Sequence, residues 1–237
     1  MTPTIVALHC WASSGREYDL LKALLPAGVR LLAPSLPGFG GQPVPAGFDY
    51  SVRAYADWIA DFLAQHEVAE FTLIGHSMSG KMALALAARR PSGLRRLVLL
   101  SPSPPPGEPM SDEDRAASVA AHGKPEEAAK TFEKITRRPI APELRAHVIA
   151  DNLRTSKAAW TRWLLEGARE DISALLPRIN VPCQLLVGEG DTAITPDTQR
   201  RLTLPLLPAG TQFQEVPGAG HLLPLEAPAE VQAAVEG

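Results

Sequence analysis

Cysteine is scarce: the 237 residues hold two, Cys10 and Cys183. That excludes a disulfide framework, and neither lies in a CxxC pair or in a Cys/His cluster with zinc spacing. A surplus of one charge is also lacking. There are 23 Lys+Arg against 26 Asp+Glu, a net charge of −3, so nothing favours nucleic acid or an anionic membrane as partner. Long hydrophobic runs are absent, since none approaches the ~18–20 residues of a membrane span. The N-terminal stretch MTPTIVALHCWASSG is apolar for a few residues only and has no basic n-region, so it reads as a strand rather than a signal peptide. A soluble cytoplasmic protein is expected.

Apolar residues make up 45% and charged residues 21%, a globular balance in a chain long enough to bury its own core. The 23 prolines are spread along the chain and act as loop punctuation. Short apolar runs alternate with helical patterns, the mark of a mostly parallel sheet with helices on both faces. Strands are predicted at Thr4–His9, Arg30–Pro34, Phe71–Gly75, Leu97–Ser101, Gln184–Gly188 and Thr211–Val216. Helices are predicted over Ser14–Leu25, over Ser51–His66 with Ser51 as N-cap, and over Met78–Arg90, ending before Pro91. A further helix should start at Thr195-Pro196. The alternation breaks at SPSPPPGEP, after which Ser111–Arg169 is helical, with Pro125, Pro139 and Pro142 at its boundaries. The expected division is a core domain over 1–104 and 170–237 and a helical cap over 105–169. An insertion of this kind lies over the carboxyl ends of the strands, where α/β sheets bind ligands.

The strongest local signal is FTLIGHSMSGK, residues 71–81. A strand runs through a glycine into a helix, and Ser77 falls on the turn between them. This is nearly the G-x-S-x-G turn that lifts a serine hydroxyl off the sheet edge. Position 79 is Ser and the glycine follows at 80; a small residue at 79 suits close approach of helix and strand. Gly75 and Gly80-Lys81 also fit G-x-x-x-x-G-K, the phosphate-binding loop. That motif needs Ser or Thr after the lysine, where this chain has Met82, and an Asp-ended strand, where LVLLS ends in Ser101. Lys81 is then expected to be a solvated helix residue.

A hydroxyl is a weak nucleophile without a base and an orienting acid. Asp191 follows the strand CQLLVG, and His221 follows the strand FQEV and the loop PGAG. Both loops open at the same sheet edge as Ser77. Glu189 is a rival carboxylate two residues earlier; His66, His122 and His147 lie in helical segments, and the loop after LVLLS has no carboxylate before Glu108. Ser77, Asp191 and His221 are therefore the candidate catalytic residues.

Over nearly its whole length the chain resembles the α/β-hydrolase superfamily, in HCWASS (9–14), LAPSLPGFGG (32–41), LIGHSMSGKMAL (73–84), PCQLLVGEGDTAITP (182–196) and VPGAGHLLPLEAP (216–228). The resemblance implies Ser77 as nucleophile, Asp191 as acid and His221 as base. The pattern usually has His-Gly where this chain has His9-Cys10, and often Asp where Ser35 stands. The family's leading hairpin is missing, so a sheet of about six strands is expected. The resemblance further implies an oxyanion hole from the backbone N–H groups of Trp11 and Met78. Cys10, a strand-end thiol without a paired base, is expected to be inert. Cys10 and Cys183 belong to opposite sheet edges and should not pair.

The expected activity is that of an esterase-like serine hydrolase with no metal or organic cofactor, acting on a small or medium acyl ester. Thioesters, lactones and carbon–carbon bonds are open to the same machinery. A binding protein on the same fold is the alternative of another class. Ser103–Glu170 holds 11 Lys+Arg and 11 Asp+Glu, so the cap carries no net charge to select an ion. His9 and Cys10 are candidate substrate contacts. Trp160, Trp163, Leu164, Leu165, Phe132 and Ile149 are candidates either for a pocket lining or for the cap's own packing face.

Overall fold

A computed structural model describes residues 4–236. The first three residues of the N-terminal stretch read above lie outside the described residues. Six parallel strands form one sheet: β1 (Thr4–Leu8), β2 (Arg30–Leu32), β3 (Phe71–His76), β4 (Leu94–Leu100), β5 (Cys183–Gly188) and β6 (Gln212–Val216), in the order β2-β1-β3-β4-β5-β6. All six expected strands are present, with ends moved by one to three residues. Successive side chains point to opposite faces of a strand, and here both faces are apolar. Val6, Leu8, Leu73, Leu97, Leu99, Leu185 and Val187 enter one core cluster. Ile5, Ala7, Ile74, Val98, Leu100 and Leu186 enter the other.

Helices cover both faces. On one side lie α2 (Val52–Gln65) and α3 (Met78–Ala87). The Ser51 hydroxyl caps α2 by accepting from Ala54 N–H at 3.0 Å, and Val52, Tyr55, Ala56, Ile59 and Leu63 form its buried stripe. On the other side lie α1 (Asp19–Leu24) and the C-terminal helix Pro228–Glu236. The expected Ser14–Leu25 helix is a 3₁₀ turn, Gly15–Tyr18, followed by α1; Ser14 accepts from Arg16 N–H, which tightens that first turn. Leu24 faces solvent. Between β4 and β5 the chain forms four helices, α4 (Asp112–Ala120), α5 (Pro125–Ile135), α6 (Pro142–Leu153) and α7 (Lys157–Leu165).

The strand order reverses between β1 and β3. Such a switch point opens a crevice beyond the carboxyl ends of the strands, because the connections on either side leave in opposite directions. The loop after β1 begins at His9 and the turn after β3 holds Ser77, so both expected catalytic segments flank this crevice.

Candidate active site

Ser77 links β3 directly to α3 with φ 54° and ψ −116°. This is a left-handed backbone that a side chain adopts at a cost of roughly 1–3 kcal/mol. The surroundings hold it there. Ser77 N–H donates to Leu100 O at 2.9 Å, and its carbonyl accepts from Gly80 N–H at 2.9 Å and Ser103 N–H at 2.8 Å. The crossing of strand and helix is too tight for side chains at two glycines. A Cβ at Gly75 would meet Ala83 Cβ at 2.7 Å, and one at Gly80 would meet Pro102 Cβ at 2.6 Å. Ser79 lies at the same crossing, where that Gly75 Cβ would also meet its carbonyl oxygen at 2.8 Å. Its hydroxyl donates to Leu8 O at 2.7 Å and accepts from His76 N–H at 3.0 Å, tying the turn to β1. Met78 N–H is the first of α3 and has no acceptor within the helix, so it is free to face a developing negative charge.

Asp191 and His221 are brought together by backbone contact. Glu189 N–H donates to Val216 O and Gly190 N–H to Ala219 O. A Cβ on Gly188 would lie 2.0 Å from Gly220 O, so only glycine lets the histidine loop pass so closely. His221 Nδ1 lies 2.7 Å from Asp191 Oδ2, while Asp191 Oδ1 accepts from Ala193 N–H at 2.8 Å and Ile194 N–H at 3.0 Å. The carboxylate accepts from Nδ1–H, which leaves Nε2 with a lone pair. Burial opposes charge on both partners. The Asp191 charge and hydrogen bond, with Glu17 and Glu108 further off, nonetheless hold the His221 pKa above its ordinary value. His221 and the Ile194 N–H hold Asp191 below the usual carboxylate range against its burial. Glu189, the rival acid, is exposed and accepts from Gly218 N–H. Among the described residues no hydrogen bond joins Ser77 Oγ to His221 Nε2. The residue before Ser77 does reach the histidine loop: His76 Nε2 lies 2.8 Å from His221 O.

The remaining expected site residues divide by position. His9 is fully buried, with Nδ1 2.7 Å from Cys10 O, and its Nε2 accepts from Leu36 N–H at 3.0 Å. Both nitrogens are engaged within the protein, and desolvation lowers its pKa. Cys10 is buried, with a thiol pushed well up by burial and by Glu17; Cys183 is also free and buried. Trp11 packs against Trp160 of α7, the rings tilted by 45° with centroids 4.0 Å apart. The Trp160 indole N–H donates to Ser118 O at 3.0 Å. Trp163 turns the other way, against Gly167 and 5.9 Å from Lys81 Nζ. Phe132 and Leu164 are buried and Leu165 is exposed.

One expectation fails outright. Lys81 is not solvated but fully buried. Its ammonium donates to the carbonyls of Glu170 at 2.9 Å, Ala168 at 3.3 Å and Gly167 at 3.4 Å, where the chain returns from the inserted helices. Burial brings its pKa down to about 8, against the opposing pull of Glu108, Glu170 and Asp171. With its donors directed at these carbonyls, Lys81 has no reach to a phosphate.

Sequence reasoning gave no role to Glu17, Asp151 or Glu226, all buried. Asp151 of α6 accepts from Ser14 Oγ at 2.6 Å and pairs with Arg16 and Arg154. Glu226 accepts from Gly220 N–H and Leu222 N–H on either side of His221, and from Arg137 N–H and Arg138 N–H after α5. The signal for Glu226 was its place five residues after His221; for Glu17 and Asp151 there was none.

Known proteins share this arrangement of strands. The sequence profile of the alpha/beta hydrolase family matches residues 5–234. A pimeloyl-[acyl-carrier protein] methyl ester esterase of Aromatoleum aromaticum is 30% identical over 207 residues, 80% of this chain and 80% of that one. A protein of the same name from Aeromonas salmonicida is 36% identical over 102 residues, 43% of this chain and 39% of its own length. Among solved structures, an esterase from Exiguobacterium antarcticum superimposes with a TM-score of 0.87 over 100% of this chain and 91% of that one, at 19% identity. The match of profile and fold across nearly every described residue places the chain in the alpha/beta hydrolase family.

Proposed function

We propose that the chain is a serine hydrolase that cleaves small or medium acyl esters through an acyl-enzyme on Ser77. The observation that carries this reading is the Asp191–His221 hydrogen bond in a loop that touches the residue before a strained Ser77. His221 Nε2 takes the Ser77 proton as Oγ attacks the ester carbonyl. The oxyanion rests on the N–H groups of Met78 and Trp11, each contributing about 3 kcal/mol or more to the transition state. Collapse breaks the carbonyl–alkoxy bond, and the leaving oxygen takes the proton from His221. Water, deprotonated by His221, then attacks the acyl carbon and releases the acid and free Ser77. Asp191 holds the ring with Nε2 as acceptor and stabilises the imidazolium.

The helices α4–α7 act as a cap over 105–169. They touch the loop after β1 and the histidine loop: Trp160 at Trp11, Asp151 at Ser14, and Ile135 O accepting from His221 N–H at 2.7 Å. The relatives named for methyl ester hydrolysis put methyl esters of longer acyl chains first among substrates to try.

A fluorophosphonate probe tests the reading. Covalent labelling at Ser77, located by peptide mass, and its loss in Ser77→Ala are expected. Ligand binding with no labelling would instead support a non-catalytic binding protein. Aryl and methyl esters of increasing acyl length, with a thioester and a lactone, then separate the substrate classes.

A further inference from the structure

Behind the catalytic loops lies a group that the mechanism above does not use. Glu17 and His76 are both almost wholly buried and in direct contact through Oε1 and Nδ1. The other carboxylate oxygen, Oε2, accepts from Cys10 N–H at 3.2 Å, next to Trp11. The other ring nitrogen, Nε2, lies 2.8 Å from His221 O. His76 itself precedes Ser77. A single side-chain pair therefore touches the loop after β1, the nucleophile turn and the histidine loop.

The hydrogen-bond inventory fixes the proton count. A carbonyl oxygen can only accept, so His76 Nε2 must donate to His221 O. On the other side Nδ1 faces a carboxyl oxygen. A neutral imidazole has one N–H, so the Nδ1–Oε1 contact requires a second proton. That proton lies between Glu17 Oε1 and His76 Nδ1, and the contact with His76, with His9 and the Cys10 N–H, holds the Glu17 carboxyl below its ordinary value against its burial. Cys10 Sγ, Glu17 and His76 also lie within 4.8 Å of one another. The raised thiol and the direct carboxylate–imidazole contact leave them unsuited to an ion.

We propose that Glu17 and His76, joined by this one proton, form a buried positioning pair that holds the Trp11 loop, Ser77 and His221 in register. This rests on the reading of Ser77 and His221 as nucleophile and base. Neither member of the pair touches substrate; each acts through the loops it bonds.

Two substitutions separate positioning from charge. Glu17→Gln can keep every contact: its amide oxygen accepts from Cys10 N–H, its NH₂ donates to His76 Nδ1, and His76 Nε2–H still donates to His221 O. Glu17→Met has similar bulk and loses both bonds that residue 17 makes, to Cys10 N–H and to His76 Nδ1. For Glu17→Met, kcat on an aryl ester should fall about 10- to 100-fold with KM within about threefold, the scale of a small misplacement of reacting groups. Glu17→Gln should recover kcat to within about fivefold of wild type. Proton spectra should show an exchange-protected, far-downfield proton in the Nδ1–Oε1 contact of wild type that is absent in Glu17→Gln. Its absence from wild type overturns the pair as described. Wild-type kcat in Glu17→Met, a loss confined to KM, or equal damage in both variants overturns the positioning role. If Glu17→Met does not fold, the Glu17→Gln spectrum and kcat still decide. A wild-type chain that fails to label at Ser77 counts against the hydrolase reading, while the spectrum tests the pair by itself.

Discussion

Helices α3 and α6 have similar lengths, ten and twelve residues, and opposite ways of being held. Every residue of α3 is buried, whereas α6 buries only Asp151 and Asn152. Helix α3 packs against the sheet and α2 and is held by apolar contact, which is strong in sum and non-directional. Helix α6 packs on α5 and lends Val148 to a small apolar cluster, and its buried carboxylate accepts from Ser14 and pairs with Arg16, contacts that act only in the correct geometry. The core places Ser77 by packing; α7 joins that packing through Trp160, Trp163 and Leu164, while α6 is registered at polar points. Changes in the core site should therefore alter the chemistry. Changes in the insert should alter which substrate is accepted, or how firmly the insert stays in place.

The largest effect should come from Ser77→Ala. Loss of the hydroxyl leaves the oxyanion donors and binding alone, so kcat should drop at least about 10⁴-fold. The thermal midpoint should hold or rise, because alanine removes no buried hydrogen bond seen at Ser77 Oγ. Retention of more than about a tenth of kcat would end the assignment.

Asp191→Asn comes next, with a loss on the order of 10³–10⁴ in kcat from the wrong ring tautomer. Glu189→Gln should change kcat less than about threefold, since an exposed carboxylate on Gly218 N–H holds no catalytic group. The pH profile carries a second check. His221 accepts the serine proton only when neutral, and Asp191 holds its pKa above 6.5. Wild-type kcat/KM should rise with pH through a midpoint above that value. In Asp191→Asn the residual activity should rise through a lower midpoint. Equal losses in Asp191→Asn and Glu189→Gln would reject the choice of acid.

The difference between the two regions also explains what could be read from the sequence. A strand buried on both faces needs a continuous apolar run, and LVLL and QLLVG show one. Ser77 and Asp191 each follow such a run within a turn, and His221 follows the short alternating strand QFQEV and the loop PGAG, so local pattern put them at one sheet edge. Buried charge leaves no such trace. Glu17 looks like any polar residue of an N-terminal turn, and its partner His76 is 59 residues away. Lys81 looks like a surface lysine until the carbonyls 86–89 residues later are brought to it. The roles of Trp160 and Trp163 were open for the same reason: spacing on a helix shows that two rings are neighbours, not what each one faces.

Those two tryptophans now offer a comparison within a single helix. Trp160 packs at a tilt against Trp11, the expected oxyanion residue, and Trp163 packs on Gly167 and beside Lys81. Trp163→Ala should cost about 3–5 kcal/mol of stability and leave the acyl-length profile unchanged. Trp160→Ala should shift kcat/KM by about tenfold toward longer chains, since each added buried methylene contributes roughly 0.8 kcal/mol. Thermal melts and kcat/KM across acyl lengths check both. Unaltered length profiles in both variants would make both rings packing residues.

The smallest effect, and the one closest to the opening contrast, is expected for Asp151→Asn. Burial would raise the Asp151 pKa, but the bonds from Arg16, Ser14 and Arg154 outweigh it and leave the carboxyl below its ordinary 3.8. Its contribution is therefore complete at neutral pH, and is lost only as pH falls through that lowered value. Arg16 and Arg154 are 38% and 49% exposed, so solvent screens both pairs. The buried Ser14 bond is the larger part. Asparagine keeps the shape and can still accept from Ser14, which limits the cost to about 1–2 kcal/mol. Because α6 wholly buries no apolar side chain and lends only Val148 to an apolar cluster, that loss should appear as local opening rather than global unfolding. Hydrogen exchange should quicken in 142–153 while α3 amides keep their protection, and kcat on a short aryl ester should stay within about threefold. Equal loss of protection in α3 and α6 would mean that the insert and the core unfold together, and that the polar contacts do not set the insert apart.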